Sequence, residues 1–398
     1  MVATNPKDIH SVYDLSFLIG QTTYSLLHGQ GLLVCTAAMG TAEPVCFRSG
    51  RMPLASSTLG LGVELFGDHL TVIRVFKNLL FLLPLWGAVA IVLWKIVPTK
   101  RNLLVASALL VAPFFVLNYL IIIVNVEWEE GYIFGVIALA IALLLFRFTD
   151  RMGWVIGFGL TLALLYISKS SMLPAVLVLL LAAAVKIPSW GKRIVLFVLV
   201  GLAPLSWMVY QHHASGRYSI GTSFDGLNLD KGNNAKFHDR YPPHPYSLDP
   251  FDWELSGDHH FADEWDFNDW HLARAKIFIL SHPGFTAVSE VSKVKVMLFS
   301  FDRYGVRPYP HIVNIASSMG MVIFRLLLWA SLLLGLYAAF TGKGIGRYAG
   351  LTYLLFVGAY CFPYLVGFGY MRHAIVLLYP AVLVCCLPFR SDEMLESA

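Results

Sequence analysis

Residues 153–187 read GWVIGFGLTLALLYISKSSMLPAVLVLLLAAAVKI, and Lys169 and Lys186 are the only charged residues among them. Each half is an apolar stretch close to the length that crosses about 30 Å of hydrocarbon. Between the halves, Ser168 to Ser171 leave almost no room for a loop. The stretch therefore predicts two membrane helices that turn back on each other at the membrane surface.

The composition of the whole chain agrees with a membrane protein. Of 398 residues, 57% are hydrophobic and 14% are charged, whereas soluble domains have roughly 45–50% and about 25%. Similar apolar stretches cover residues 76–97, 103–125, 131–147, 153–168, 171–187, 193–211, 312–340, 348–366 and 373–389. We therefore expect an all-α polytopic membrane protein with about nine transmembrane helices. The net charge of +4 is spread over short loops and does not favour a nucleic-acid partner.

Basic residues in the short connections predict the orientation, because Lys and Arg are retained on the cytoplasmic side. One set of connections, with the C-terminal tail, contains Lys95, Lys100, Arg101, Arg147, Arg151, Lys186, Lys192, Arg193, Lys343, Arg347 and Arg390. The alternate short connections contain only Lys169 and Arg372. The first set is therefore predicted to be cytoplasmic, and both long polar segments extracytoplasmic.

These patterns divide the chain into four parts. Residues 1–75 form an extracytoplasmic first loop with an amphipathic helix, and residues 76–211 contain transmembrane helices 1–6. Residues 212–311 form a large extracytoplasmic loop with interfacial helices, and residues 312–398 contain helices 7–9 and a cytoplasmic tail. Because no apolar helix precedes the first loop, we expect that the chain as given lacks one N-terminal helix.

Local signals add detail within the two polar segments. The amphipathic pattern of residues 11–28 ends at Gly29-Gln30-Gly31, a helix stop. In the large loop, residues 223–234 (SFDGLNLDKGNN) predict turns, and a helical pattern runs from His271 to Lys295 with a break at Pro283. Cys35 and Cys46 form a disulfide only if their segment faces an oxidising compartment, and both outcomes remain open.

Several charged residues in the predicted extracytoplasmic parts are suited to chemistry at the membrane surface. Asp14 is placed to act as a general base toward an acceptor hydroxyl. Glu127, Glu129 and Glu130 can bind a divalent cation or position an acceptor. Arg48, Arg51, Lys169 and Arg372 are basic groups near the membrane, for which a phosphate is an apt partner. The alternatives are a solvated Asp14 and basic side chains that reach toward lipid headgroups.

Taken in order, these features resemble the membrane-embedded GT-C glycosyltransferases that use a polyprenyl-phosphate sugar donor. This group includes protein O-mannosyltransferases and lipid A aminoarabinose transferases. The motifs that carry the resemblance are Asp14, Leu26-Leu27-His28-Gly29-Gln30-Gly31, Arg51-Met52-Pro53, Ile167-Ser168-Lys169, Gly226-Leu227-Asn228, Gly232-Asn233-Asn234, His282-Pro283, Lys293, and Arg372-His373 with Pro380. They extend over most of the chain.

The resemblance implies a GT-C-like fold with a small extracytoplasmic cap, in a bacterial inner or plasma membrane. It implies an inverting transfer of a sugar to a lipid, glycan or protein acceptor, with Asp14 as base and Asp8 as a competing base. Arg51, Lys169 and Arg372 would bind the donor phosphate. A divalent cation, Mg²⁺ or Mn²⁺, near the acids at positions 127, 129 and 130 is an optional further element.

Three other functions remain open from the sequence. A polyprenyl-linked glycan ligase would rely on large-loop residues such as Arg240 or Arg274. A flippase or transporter of lipid-linked glycan would place ionisable residues in the middle of helices, whereas nearly every charge here is predicted at a helix end. A non-enzymatic assembly subunit would use the large loop as a docking surface.

Overall fold

A computed structural model describes residues 11–12, 17–36, 44–96, 99–111, 129–237, 259–301 and 311–389. Asp8, Asp14, Glu127 and Arg240 lie outside these residues, so their assigned roles remain predictions.

The first part of the chain forms an interfacial unit that leads into the membrane. Its elements are α1 (Phe17–Leu27), β1 (Val34–Thr36), β2 (Val45–Phe47), α2 (Leu54–Phe66), α3 (Leu70–Lys95) and α4 (Lys100–Val111). The stop after α1 is where the sequence predicts it. Gly29 and Gly31 have φ angles of 73° and 72°, in the left-handed region that glycine adopts without a steric cost.

The hairpin predicted from residues 153–187 is present. The central elements are α5 (Glu130–Leu145), α6 (Met152–Ser168), α7 (Leu173–Lys186) and α8 (Trp190–Ser215), with a 3₁₀ turn at Ser170–Met172 between α6 and α7. Helices α3 and α5 approach closely at Gly135, where an added Cβ would lie 2.3 Å from the Phe81 carbonyl oxygen. Only glycine permits this contact between the two backbones.

The second half alternates cap and membrane elements. They are α9 (Asp225–Gly232), α10 (Glu264–Ser281), α11 (Pro283–Val294), a π-helical turn (Lys295–Phe299), α12 (His311–Thr341), α13 (Ile345–Val366), α14 (Met371–Ile375) and α15 (Leu378–Cys386). The break at Pro283 is as predicted. Two expectations are wrong: residues 223–234 include helix α9 rather than turns alone, and the helix expected from His271 begins at Glu264.

The early start of α10 has a local cause. The Asp263 side chain accepts the backbone N–H groups of Trp265 and Asp266, which otherwise lack partners in the first turn. The acidic residues Glu264 and Asp266 in that turn also interact favourably with the positive end of the helix dipole.

Among the described residues, four helices are long and apolar enough to cross a membrane: Leu70–Lys95, Trp190–Ser215, Ser318–Thr341 and Ile345–Val366. Five shorter apolar helices accompany them within the described ranges: Leu54–Phe66, Glu130–Leu145, Met152–Ser168, Ser170–Lys186 and Arg372–Cys386. The chain is therefore a helical integral membrane protein. The expected number of nine spans is not confirmed, and the sidedness of the polar segments remains a prediction.

Two of the shorter helices, α5 and α15, occupy the centre of the molecule. Ile137 in α5 and Val382 in α15 are fully buried, whereas Leu83 and Trp94 in α3 are each 63% exposed. A helix that is apolar on every side requires burial on every side, and α5 fits this rule. The exposed apolar side chains of the longer helices suit contact with lipid.

The two polar segments fold against each other as one cap. Strands β1 and β2 pair antiparallel, and a disulfide joins Cys35 to Cys46, the pairing that the sequence leaves open. Phe47 of β2 packs against Phe224 and Phe267 of the large loop, with ring centroids 4.6 and 5.3 Å away. These rings form the centre of a small hydrophobic core shared by both segments.

A buried carboxylate joins the same two segments. Glu264, at the start of α10, accepts the backbone N–H groups of Arg48 and Ser49 at 3.1 and 2.9 Å. It also accepts the hydroxyl of Ser223 at 2.7 Å. Three donors from two distant chain segments therefore meet on one side chain, which fixes the first loop against the large loop.

Two buried basic residues of the described chain lie within membrane helices and away from their ends, contrary to the expectation that nearly every charge lies at a helix end. Lys77 of α3 is 2% exposed, with its ammonium 5.5 Å from the ring centroid of Tyr132. Arg325 of α12 is fully buried and donates to three backbone carbonyls of residues 296–300, at 2.6 to 3.0 Å. Arg325 thus attaches the end of the large loop to α12.

Candidate functional site

Five of the predicted site residues lie together where several helices begin or end. Glu129 and Glu130 start α5, Lys169 follows the last residue of α6, and Arg372 lies in the short helix α14. Arg51 lies in the segment between β2 and α2. We call these five residues the charged cluster.

Direct ion pairs connect the members of the charged cluster. Arg51 Nη1 lies 2.9 Å from Glu129 Oε1, and Lys169 Nζ lies 2.5 Å from Glu130 Oε1. Lys169 also contacts Glu129 Oε2 at 3.4 Å, so its ammonium bridges both carboxylates. Arg372 Nε lies 3.9 Å from Glu130 Oε1. The structure therefore brings together three cations that are far apart in sequence.

His373 extends the cluster by a defined hydrogen-bond arrangement. The backbone N–H of Tyr370 donates to His373 Nδ1 at 3.0 Å, so the neutral ring carries its proton on Nε2. Nε2 lies 3.1 Å from Glu130 Oε1 and donates to it. The ring of Tyr364 stacks on the imidazole, with centroids 4.1 Å apart. Tyr364 lies within an apolar run, and no local signal in the sequence pointed to it.

The cluster is mostly shielded from solvent. Glu129 and Glu130 are 9% and 2% exposed, and the Lys169 side chain is 15% exposed. Burial alone would raise the pKa of Glu129, but Arg51 and Lys169 outweigh it and hold that pKa below its ordinary value. Burial alone would lower the pKa of Lys169, but Glu130 outweighs it and raises that pKa. Glu129 and Lys169 therefore remain charged near neutral pH.

The charge of the cluster leaves capacity for an anion. Its members are three cations and two carboxylates. The buried Nε–H of Arg51 has no hydrogen-bond partner among the residues that the structure describes. A guanidinium with an unused donor is a suitable contact for a phosphate oxygen.

The same charge balance does not favour a divalent cation at Glu129 and Glu130. Both carboxylates are already paired with cations, which would repel Mg²⁺ or Mn²⁺. In the described part of the chain, no group of three or more His, Cys, Asp or Glu side chains is arranged to hold a metal. Glu127 lies outside that part.

An apolar groove of about 490 Å³ lies in the wall of the helix bundle. Its lining residues are Leu54, Leu80, Phe81, Leu83, Pro84, Gly87, Leu139 and Leu164, from helices α2, α3, α5 and α6. Leu80 and Leu83 are 41% and 63% exposed, so the groove opens toward the lipid-facing side of α3. Its lining suits an aliphatic chain.

Three of the helices that line this groove lead to the charged cluster. Helix α2 begins at Leu54, three residues after Arg51. Leu164 and Lys169 are five residues apart in sequence, which corresponds to about 7.5 Å along a helix. On α5, Tyr132 follows Glu130 closely and packs on Phe81, with ring centroids 4.6 Å apart. Three helices that line the groove, α2, α5 and α6, therefore also adjoin the charged cluster.

A second set of charged residues lies within the cap. Asp230 Oδ2 is 2.6 Å from His271 Nδ1 and 3.4 Å from Arg274 Nε. Burial lowers the pKa of His271 and outweighs the opposing effect of Asp230. Arg274 is a candidate residue of the ligase alternative. It lies in α10 and pairs with Asp230 of α9. Its guanidinium also lies 4.5 Å from the ring centroid of Trp270.

Comparisons with known proteins give little independent information. The chain matches no protein-family model, and no curated protein sequence matches it. A solved structure that matches is the crystal structure of ArnT from Cupriavidus metallidurans bound to undecaprenyl phosphate. The match has 13% sequence identity and a TM-score of 0.33, and it covers 90% of this chain and 72% of ArnT. That superposition is too loose to carry an argument about function.

Proposed function

We propose that this protein is an integral membrane glycosyltransferase of the GT-C kind, which transfers a sugar from a polyprenyl-phosphate donor to a lipid, glycan or protein acceptor. One observation carries the proposal. Arg51, Lys169 and Arg372 converge in one cluster, and three helices that adjoin it, α2, α5 and α6, also line an apolar groove that opens toward lipid. A polyprenyl phosphate has the matching chemistry, an anionic head on a long aliphatic chain.

In this proposal the donor spans the groove and the charged cluster. Its polyprenyl chain lies along Leu80, Leu139 and Leu164, and burial of apolar surface supplies most of its affinity. Its phosphate lies at Arg51 and Lys169, with the sugar directed toward the cap. The donor phosphate carries one negative charge, which the excess of cations over carboxylates can balance.

The reaction breaks one bond and forms another at the anomeric carbon of the sugar. The acceptor oxygen or nitrogen attacks that carbon from the side opposite the phosphate, and its proton passes to the base. The bond between the anomeric carbon and the phosphate oxygen breaks, and its electron pair stays on the phosphate. The products are the glycosylated acceptor, with inverted configuration, and polyprenyl phosphate.

The charged cluster would act on the leaving group. Negative charge grows on the phosphate as the bond breaks, and fixed cations stabilise that charge more in the transition state than in the ground state. Lys169 suits this role because its ammonium is buried and held by Glu129 and Glu130 before the donor arrives. Such pre-organisation avoids reorientation during the reaction.

Asp14 is the proposed general base, and Asp8 is the competing candidate. Glu129 and Glu130 suit that role less well, because each is paired with a cation. The lowered pKa of Glu129 also makes it a weak base. The two cluster acids are therefore assigned to holding Arg51 and Lys169 in place.

The test is transfer by the purified protein in lipid nanodiscs. We expect release of polyprenyl phosphate from a panel of polyprenyl-phosphate sugars when lipid, glycan and peptide acceptors are supplied. Asp14→Asn should abolish release, whereas Asp8→Asn should retain it. If Arg274→Gln abolishes release and Asp14→Asn does not, the ligase alternative holds. If no donor is consumed with any acceptor, the transferase proposal fails.

A further inference from the structure

The end of α13 is held by side chains from the cap. The last carbonyl groups of a helix lack partners within the helix and need other donors. Here the Leu365 carbonyl accepts from Lys293 Nζ at 2.8 Å, and the Val366 carbonyl accepts from Asn233 Nδ2 at 2.7 Å. Lys293 belongs to α11, and Asn233 follows α9, so two cap helices converge on one helix end.

The side chains of Asn233 and Lys293 are both buried in this contact. Asn233 is 1% exposed, and its Nδ2 also donates to the Leu229 carbonyl at 2.8 Å. Because both partners are carbonyl oxygens, the amide nitrogen rather than the amide oxygen must face them. Lys293 is fully buried and has a further contact with Glu290 at 2.8 Å. A positive charge at the end of a helix also interacts favourably with its dipole.

The backbones at the end of α9 and after α13 also approach each other closely. An added Cβ at Gly232 would lie 1.7 Å from the Gly367 carbonyl oxygen. The end of α9 therefore presses directly on the turn that follows α13, and only glycine permits that approach. The cap and the end of α13 fit together through backbone as well as side chains.

This contact lies beside the charged cluster along the chain. Tyr364, which stacks on His373, immediately precedes Leu365. After Val366, a short segment of residues 367–370 leads to Arg372 and His373. Its last residue, Tyr370, donates the N–H that fixes the His373 ring. A shift at the end of α13 would therefore move Arg372 and His373, which both face Glu130.

We propose that Asn233 and Lys293 are positioning residues of the transfer site, which hold the end of α13 so that Arg372 and His373 face Glu130. The inference rests on the proposed function, because it assigns the cap a role in binding the donor phosphate. Neither residue touches the charged cluster itself. They act through residues 364–373.

The chain offers a matched control for Asn233. Asn234 is also an asparagine, is 5% exposed, and donates to the carbonyls of Asp230 and Lys231 at 2.6 and 3.2 Å. Those bonds close the end of α9 and do not reach α13. Asn233→Asp and Asn234→Asp therefore make the same chemical change, the first at a residue that contacts α13 and the second at a neighbour that does not. For Lys293, Lys293→Met removes the donor and Lys293→Arg keeps a cationic donor.

The experiment measures two quantities on the full-length protein in nanodiscs. Hydrogen exchange of residues 364–373 reports whether the end of α13 is held, and binding of undecaprenyl phosphate reports whether the site is positioned. We expect Asn233→Asp and Lys293→Met to speed exchange and to weaken binding by about tenfold or more, the equivalent of one lost charge-assisted or buried hydrogen bond. Asn234→Asp should change neither, and Lys293→Arg should restore most of both.

Two outcomes would overturn the inference. One is faster exchange at residues 364–373 with unchanged binding of undecaprenyl phosphate, which would make the contact structural only. The other is equal binding by Asn233→Asp and Asn234→Asp. If Asn233→Asp does not fold, the Lys293→Met and Lys293→Arg pair gives the same comparison. Protein that binds undecaprenyl phosphate but transfers no sugar would refute the proposed function alone.

Discussion

Lys169 provides the sharpest prediction from the charged cluster. Lys169→Met removes an ammonium that lies 2.5 Å from Glu130 and 3.4 Å from Glu129, so two buried carboxylates lose the cation that they share. Loss of one partner of a buried ion pair costs about 3–5 kcal/mol of stability. Because the Lys169 side chain is only 15% exposed, solvent screens little of this effect. We expect a clear fall in the thermal denaturation temperature in detergent.

A second substitution separates stability from activity. Lys169→Met combined with Glu130→Gln removes one charge of each sign, so most of the lost stability should return. Sugar transfer should not return, because the phosphate still lacks its cation. By analogy with the loss of one pre-organised donor, kcat should fall by about 10²–10³. Thermal denaturation and release of polyprenyl phosphate measure the two effects on the same samples.

An exposed ion pair provides the control. Lys192 and Asp150 form a contact at 3.0 Å, with side chains 26% and 52% exposed. Lys192→Met with Asp150→Asn should change stability by no more than about 1 kcal/mol and leave transfer unchanged. If the Lys169→Met and Glu130→Gln double variant transfers sugar at the wild-type rate, Lys169 has no role at the leaving phosphate.

Three further predictions concern the groove, the pH dependence and metals. An added Cβ at Gly87 has Leu139 Cδ1 as its nearest neighbour at 3.5 Å, so Gly87→Leu should extend into the groove. It should raise KM about tenfold for a long-chain donor and leave a short-chain analogue unaffected. Because Glu129 has a lowered pKa in the folded protein, its stabilising contribution is complete above its unfolded pKa and is lost as pH falls through the folded value. The difference in thermal stability between the wild type and Glu129→Gln should therefore be level between about pH 5 and pH 8 and fall below about pH 4. EDTA should leave the binding of undecaprenyl phosphate unchanged, because the cluster cations are side chains; loss of binding that Mg²⁺ restores would contradict this.

Much of the fold follows from local pattern, and the exceptions have a tertiary cause. Apolar length predicts the α6–α7 hairpin, and paired glycines predict the end of α1. Helix α9 was not predicted, because its Gly, Asn and Asp residues individually favour turns. Phe224 and Leu227 pack into the core that also contains Phe47 and Phe267, so packing outweighs local propensity there.

The sequence predicts the residue types of the candidate site but not how those residues pair. Basic residues near the membrane surface suggest a phosphate, and three of them lie in one cluster. Their partners could not be predicted, because Arg51 and Glu129 are 78 residues apart in sequence and Lys169 and Glu130 are 39 apart. The roles of these residues remain predictions until they are substituted.

The most direct test of the account is an experimental structure of the protein with undecaprenyl phosphate in a lipid nanodisc. We expect the phosphate within about 3 Å of Lys169 Nζ, in contact with Arg51 and Arg372. We expect the lipid chain along the groove between Leu80 and Leu139. A phosphate bound elsewhere, with every ion pair of the charged cluster unchanged and the groove without a lipid chain, would contradict the central claim.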